Sequence, residues 1–183
     1  VLGGIMGGLN SGVEDNTVNI FIEVANWKAA LVRRTSTRLG LRTDSSQRYE
    51  KTLDSQLLKK TLLRTLDLVL ELCPNAEIEG EIEYDGESLD NYENVKITTS
   101  VNRIVRHLGK DIPKQRIISI LEALDFKVTD ETGNLFIEVP SYRATKDVEC
   151  EADIFEEVGR IIGYDNIEAI SPDLNVSPVR LTT

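Results

Sequence analysis

Val95-Lys96-Ile97-Thr98-Thr99-Ser100-Val101-Asn102-Arg103-Ile104-Val105-Arg106-His107-Leu108-Gly109 is the stretch that decides the fold class. Its β-branched start, Val95 to Thr99, reads as a strand, and Ser100 is placed to cap a helix. Val101, Ile104, Val105 and Leu108 then recur at helical spacing until Gly109 ends that helix. Downstream, Pro113 opens a second helix with Ile117, Ile120, Leu121 and Leu124 on its inner face. Phe126-Lys127-Val128, the turn Asp130-Glu131-Thr132-Gly133-Asn134, and Leu135 to Val139 spell a hairpin. A third helix is expected at about 151–162, burying Ile154, Val158 and Ile161. Two helices followed by a hairpin is the winged-helix order, and the chain as a whole reads as α+β. Residues 173–183 read as a linker or tail.

Upstream of that stretch the pattern changes. Val18 to Val24 alternates enough to predict a strand ending near Glu23. Asn26-Trp27 leads into a helix at about 28–39, with Gly40 as its C-terminal cap. Asp54 is the expected N-cap of the next helix, whose stripe Leu58, Leu62, Leu66, Val69 and Leu70 reads as core-facing until Pro74 stops it. Ala76 to Tyr84 alternates apolar residues with glutamates and reads as an edge strand. The acidic segment Glu77–Glu93 is a solvated face and linker, which puts the domain boundary at about 90–93.

Composition narrows the classes. At 183 residues, 40% hydrophobic and 28% charged, the chain fits a soluble globular protein of one large or two small domains. No apolar run approaches the ~20 residues of a membrane span, and nothing resembles a signal peptide. Cys73 and Cys150 lack metal spacing and are expected as reduced thiols in a cytoplasmic protein. The first residues, Val1-Leu2-Gly3-Gly4, enter mid-pattern, as in a fragment of a longer protein. A net charge of −10 argues against general nucleic-acid affinity. The distribution qualifies this, because residues 28–60 hold nine Lys/Arg against three acids. Any RNA contact is expected there.

That basic region centres on Arg33-Arg34-Thr35-Ser36-Thr37-Arg38-Leu39-Gly40-Leu41-Arg42-Thr43-Asp44-Ser45-Ser46-Gln47-Arg48-Tyr49-Glu50-Lys51. Ahead of it stands the run Gly3-Gly4-Ile5-Met6-Gly7-Gly8. Glycines let backbone approach a ligand, and arginines offer forked donors for phosphate oxygens. Together they read as the walls of a pocket for something that carries phosphate.

Ile5-Met6-Gly7-Gly8 through Asn10-Ser11-Gly12, then Glu23, Arg33-Arg34, Leu39-Gly40-Leu41-Arg42-Thr43-Asp44 and Arg48-Tyr49-Glu50 resemble the B3/B4 editing domain of the bacterial phenylalanyl-tRNA synthetase β subunit. Asn94 to Pro172, closing on Gly163-Tyr164-Asp165-Asn166-Ile167, is similar to the B5 domain that comes next in that subunit. The resemblance implies three segments: 1–92, the C-terminal portion of an α/β editing domain; 93–172, a winged-helix-like B5 domain; and 173–183, a linker or tail. It implies a fragment of the phenylalanine–tRNA ligase β chain that hydrolyses mischarged Tyr-tRNA(Phe). Its partners would be tRNA(Phe) and a catalytic α subunit in an α2β2 heterotetramer. ATP would be used by the holoenzyme and not bound by this fragment. The alternative is a non-catalytic nucleic-acid-binding or scaffolding module.

Editing has a physical motive. An apolar pocket rejects an added hydroxyl by only about 10²-fold, so a second site that binds the phenol removes the error. By the resemblance, Glu23 accepts the phenol, Gly7 and Gly8 line the pocket, and Thr43 orients the ester or water. Each has a plainer reading: an ion pair for Glu23, a turn for the glycines and a cap for Thr43. Ser45 stands where the family commonly has Ala. The family's pocket His would lie upstream of Val1, and His107 reads as a helix-surface residue. Arg33, Arg34, Arg38, Arg42 and Arg48 are expected to face the tRNA 3′ end. Asp147, Asp153, Glu156 and Glu157 match a family Mg²⁺ site, whereas acids in a first helical turn also suit the helix dipole. Residues 94–139 hold seven Lys/Arg and six acids, so docking on the α subunit is preferred over DNA binding for this part.

Overall fold

The computed structural model describes residues 1–86, 89 and 92–170. In chain order its elements are α1 (Ala29–Leu39), α2 (Asp44–Tyr49), α3 (Leu58–Leu72), β1 (Lys96–Ser100), α4 (Val101–Leu108), α5 (Lys114–Ala123), β2 (Lys127–Glu131), β3 (Asn134–Glu138), α6 (Ser141–Ala144) and α7 (Glu151–Ile162). The fold is α+β. The chain divides into two compact units, Val1–Lys96 with Glu138–Glu149, and Ile97–Ile137 with Cys150 onward. The first unit thus takes in residues 138–149, which lie beyond the boundary expected at 90–93. The expected tail at 173–183 lies outside the described residues.

The second unit follows local rules closely. Ser100 caps α4 by accepting the Arg103 N–H at 3.3 Å, and Gly109 ends the helix at φ 66°. Pro113 stands at the N-cap of α5. Thr132 and Gly133 join β2 to β3 with φ of 50° and 89°, the positive pair that matches hairpin twist. The sheet order is β1-β3-β2, so the hairpin's second strand lies centrally. Ile104, Ile117, Leu121, Leu135 and Ile154 are fully buried between sheet and helices. Burying a side chain of this size is worth about 1.5–3 kcal/mol. α7 turns Phe155 inward with Ile154 and Val158, whereas Ile161, expected inside, is 40% exposed. Position 161 keeps the spacing of Ile154 and Val158 but stands in the last turn of α7.

The first unit departs further from expectation. Val18 to Val24 is irregular rather than a strand, with Val18 90% and Phe21 89% exposed. Ala76 to Tyr84 is likewise irregular. Alternation makes a strand only beside a second one, and among the described residues this unit holds no ladder beyond the isolated bridge Leu2–Met6. The leucine stripe of α3 is not a core face either, for no residue of that helix is buried. Leu58, Leu62, Leu66 and Val69 are half-buried and Leu70 is exposed. Asp54 caps a 3₁₀ turn (Ser55–Leu57) that runs into α3, and its other oxygen accepts the Ser141 hydroxyl at 2.6 Å. The buried apolar residues here are Ile5, Val32, Val139 and Val148. Ser36, Ser46 and Glu50 are buried with them.

Candidate functional site

The Gly-rich run folds back on itself. Leu2 N–H donates to Met6 C=O at 2.8 Å, and Ile5 and Met6 N–H both donate to Leu2 C=O. Trp27 lies against the turn: a Cβ at Gly3 would stand 2.8 Å from its ring, and one at Gly4 2.9 Å. Gly4 also has φ 69°, so it serves the fold by conformation and by closeness. Gly7 differs. Its φ is not left-handed, and a Cβ there would meet nothing within 4 Å. At Gly8 a Cβ would stand 2.9 Å from the Ser11 hydroxyl and 3.6 Å from a Val1 methyl.

α1 and α2 hold this turn through hydroxyls. Thr43 is the N-cap of α2, accepting the Ser46 N–H on Oγ1 at 3.1 Å while donating its own proton to Ile5 C=O at 2.6 Å. Ser46 closes the capping box by accepting the Thr43 N–H at 2.9 Å, and its hydroxyl donates to Thr43 C=O. Ser36, one turn below Val32 on α1, donates to Leu41 C=O at 2.5 Å and lies 3.4 Å from Ser46 Oγ. Thr43 therefore fills the plainer role of a cap, with a second bond to the Gly-rich turn. Ser45, on the same short helix, is exposed.

The arginines fall into two groups. Arg42 pairs with Glu50 at 2.8 Å, and Arg33 Nη2 donates to the Glu50 C=O at 3.4 Å. Glu50 is 6% exposed. The Arg42 hydrogen bond holds its carboxyl below the usual carboxylate range, against the opposing effect of desolvation. Arg34, Arg38 and Arg48 are exposed and make no ion pair among the described residues. Sequence reading missed Ser36, Ser46 and Glu50. A polar residue at the helical spacing of a buried neighbour (Val32 to Ser36) was the available signal.

A cavity of about 470 Å³ lies between the turn and α1, lined by Leu2, Gly3, Ile5, Trp27, Leu31 and Val32 among others. Glu23, Gly7 and Thr43 are not in its lining. Glu23 is exposed on irregular backbone and makes no ion pair among the described residues. Thr43 is thus brought to the Gly-rich turn, and Glu23 is not seen joined to either.

The four acids stand as follows. Asp147 pairs with Arg143 at 2.6 Å, and Asp153 accepts the Cys150 N–H at 2.8 Å. Glu157 is buried and pairs with Arg160 at 2.6 Å, while Glu156 is exposed. Among the described residues no three His, Cys, Asp or Glu side chains gather closely enough to hold a metal. As they stand the four do not fit a Mg²⁺ site: Asp147, Asp153 and Glu157 would each have to leave an arginine or a cap, which leaves Glu156 alone of the four without such a partner among the described residues.

Residues 1–74 match the family model of the B3/4 domain, and residues 97–164 that of the tRNA synthetase B5 domain. A phenylalanine–tRNA ligase beta subunit of Carboxydothermus hydrogenoformans is 40% identical over 180 residues, 98% of this chain and 21% of that protein. Those of Solibacter usitatus and Bacillus licheniformis are 36% and 37% identical, over 93% of this chain and 22% and 21% of theirs. The chain therefore spans about a fifth of the length of the curated relatives it matches. No helix among the described residues is long and apolar enough to cross a membrane.

Proposed function

From the premise that the chain belongs to the phenylalanine–tRNA ligase β-subunit family, part B3/4 domain and part B5 domain, we propose that its first unit contributes to a site hydrolysing mischarged Tyr-tRNA(Phe). The observation that carries this is Gly7, a glycine with neither a left-handed φ nor a crowding neighbour to require it. Its backbone is left open to close approach by a ligand. Thr43 stands beside the same turn, bonded to Ile5. Glu23 supplies an unspent carboxylate for the phenol, and Gly8 and Ser45 border the space. Arg34, Arg38 and Arg48 offer phosphate donors for the tRNA 3′ end, with Arg33 and Arg42 behind them committed to Glu50.

The second unit is a winged-helix-like docking element. Arg103 is paired with Glu151, Lys110 with the Asn166 carbonyl, and Lys114 with Asp130. These three cations are poor candidates for a DNA backbone, which leaves Arg106 and Arg116 as exposed cations of the unit, and a protein surface, that of a catalytic α subunit in an α2β2 assembly, is the preferred partner. Aminoacylation with ATP and Mg²⁺ belongs to that cytoplasmic assembly. The test is deacylation of Tyr-tRNA(Phe) by the complete β subunit in its complex. Glu23→Ala and Gly7→Ala are each expected to abolish it and to spare Phe-tRNA formation. Unchanged deacylation in both variants overturns the reading.

A further inference from the structure

Resting on that editing reading, we infer that Thr43 and Ser46 are positioning residues: they hang the Gly-rich turn on the start of α2, and neither hydroxyl donates to the reacting ester. Proton counting carries this. A threonine hydroxyl has one proton, and that of Thr43 goes to the Ile5 carbonyl at 2.6 Å. One of its lone pairs is taken by the Ser46 N–H, which leaves a single acceptor position. Such an oxygen can receive a proton but has none to give to an oxyanion or leaving group.

Ser46 fixes the geometry from behind. It is wholly buried, and its Oγ bonds both the N–H and the C=O of Thr43 at 2.9 Å. Those two bonds set the backbone of Thr43, and so the direction in which its side chain reaches the turn. Ile5 is the hinge of the arrangement: its side chain is buried, its N–H bonds Leu2, and its C=O is the tethered atom. Gly7 comes two residues later, so its placement is coupled to this bond. The hydroxyl that shapes the site is thus Ser46 rather than its exposed neighbour Ser45.

The test compares Thr43→Val, Thr43→Ser, Ser46→Ala and the Thr43→Val/Ser46→Ala pair in the complete β subunit complex. Two readouts are taken: hydrogen exchange of the Ile5 and Met6 amides, and kcat and KM for Tyr-tRNA(Phe) deacylation. Thr43→Val and Ser46→Ala are expected to speed exchange on the order of fivefold, as the loss of one hydrogen bond allows. Each should lower kcat by roughly 10- to 100-fold with KM little moved, and the faster exchange beside it marks misplacement rather than loss of a reacting group. The pair should be no worse than the poorer single variant, and Thr43→Ser should keep both properties. If Ser46→Ala alters neither readout while Thr43→Val stops turnover without faster exchange, Thr43 acts on the substrate and the inference falls. Faster exchange in a complex that never deacylates Tyr-tRNA(Phe) leaves the tether standing and sinks the editing reading alone.

Discussion

Thr43 Oγ1 and the Ile5 carbonyl meet at 2.6 Å across 38 positions of sequence. This bond joins the cap of one short helix to a glycine turn otherwise held by its own backbone bonds to Leu2 and by Trp27. It sets the substitutions that the turn can tolerate.

Glycine has two different purposes within four residues. Gly4→Ala forces a left-handed φ on an L-residue and drives a methyl against Trp27 and Val32. A loss of about 1–3 kcal/mol is expected, measured by urea unfolding. Gly7→Ala meets no neighbour and should be neutral or stabilising by up to about 1 kcal/mol. A large loss of stability at Gly7 would remove the ground for reading it as ligand space.

The Arg42–Glu50 pair predicts a pH dependence. Glu50 has a folded pKa below its unfolded one, so its contribution is complete above the ordinary carboxylate range. It is lost as pH falls through the lowered folded value. Thermal unfolding between neutral and strongly acid pH should show Glu50→Gln with the flatter acid limb. Parallel curves for both proteins would contradict the pairing.

RNA affinity should separate the arginines. Arg34→Ala and Arg38→Ala are each expected to reduce the slope of log K against log salt by about 0.7–0.9 without changing stability. Arg42→Ala should lower stability and leave that slope nearly unchanged, since its charge is already answered by Glu50. Equal slopes for all three variants would argue that the division is unreal.

Core and surface leucine-type residues should differ sharply between the units. Ile117→Ala, at a fully buried position, is expected to cost about 2–5 kcal/mol in the unfolding of the second unit. Leu63→Ala on α3, 46% exposed, should stay within about 0.5 kcal/mol. A large cost at Leu63 would mean that α3 is covered after all.

Adding Mg²⁺ should leave the amide shifts of residues 150–158 unmoved in an NMR titration. Asp153 and Glu157 are held by a cap and by Arg160. A concerted, saturable shift would restore the metal site that the sequence resemblance implied.

The sequence by itself determined the second unit almost throughout. Ser100, Gly109, Pro113 and the Thr132-Gly133 turn act within three or four residues of themselves, so their consequences are written locally. The end of α1 at Gly40 is legible for the same reason. Tertiary structure decided what depends on a distant partner. Val18–Val24 and Ala76–Tyr84 alternate like strands but pair with no strand among the described residues, and the α3 stripe is at most half-buried. The distinction between Gly4 and Gly7 needed Trp27, twenty or more positions away. Alternation and amphipathicity state only what a segment is able to bury; the neighbours present in space decide whether it does so.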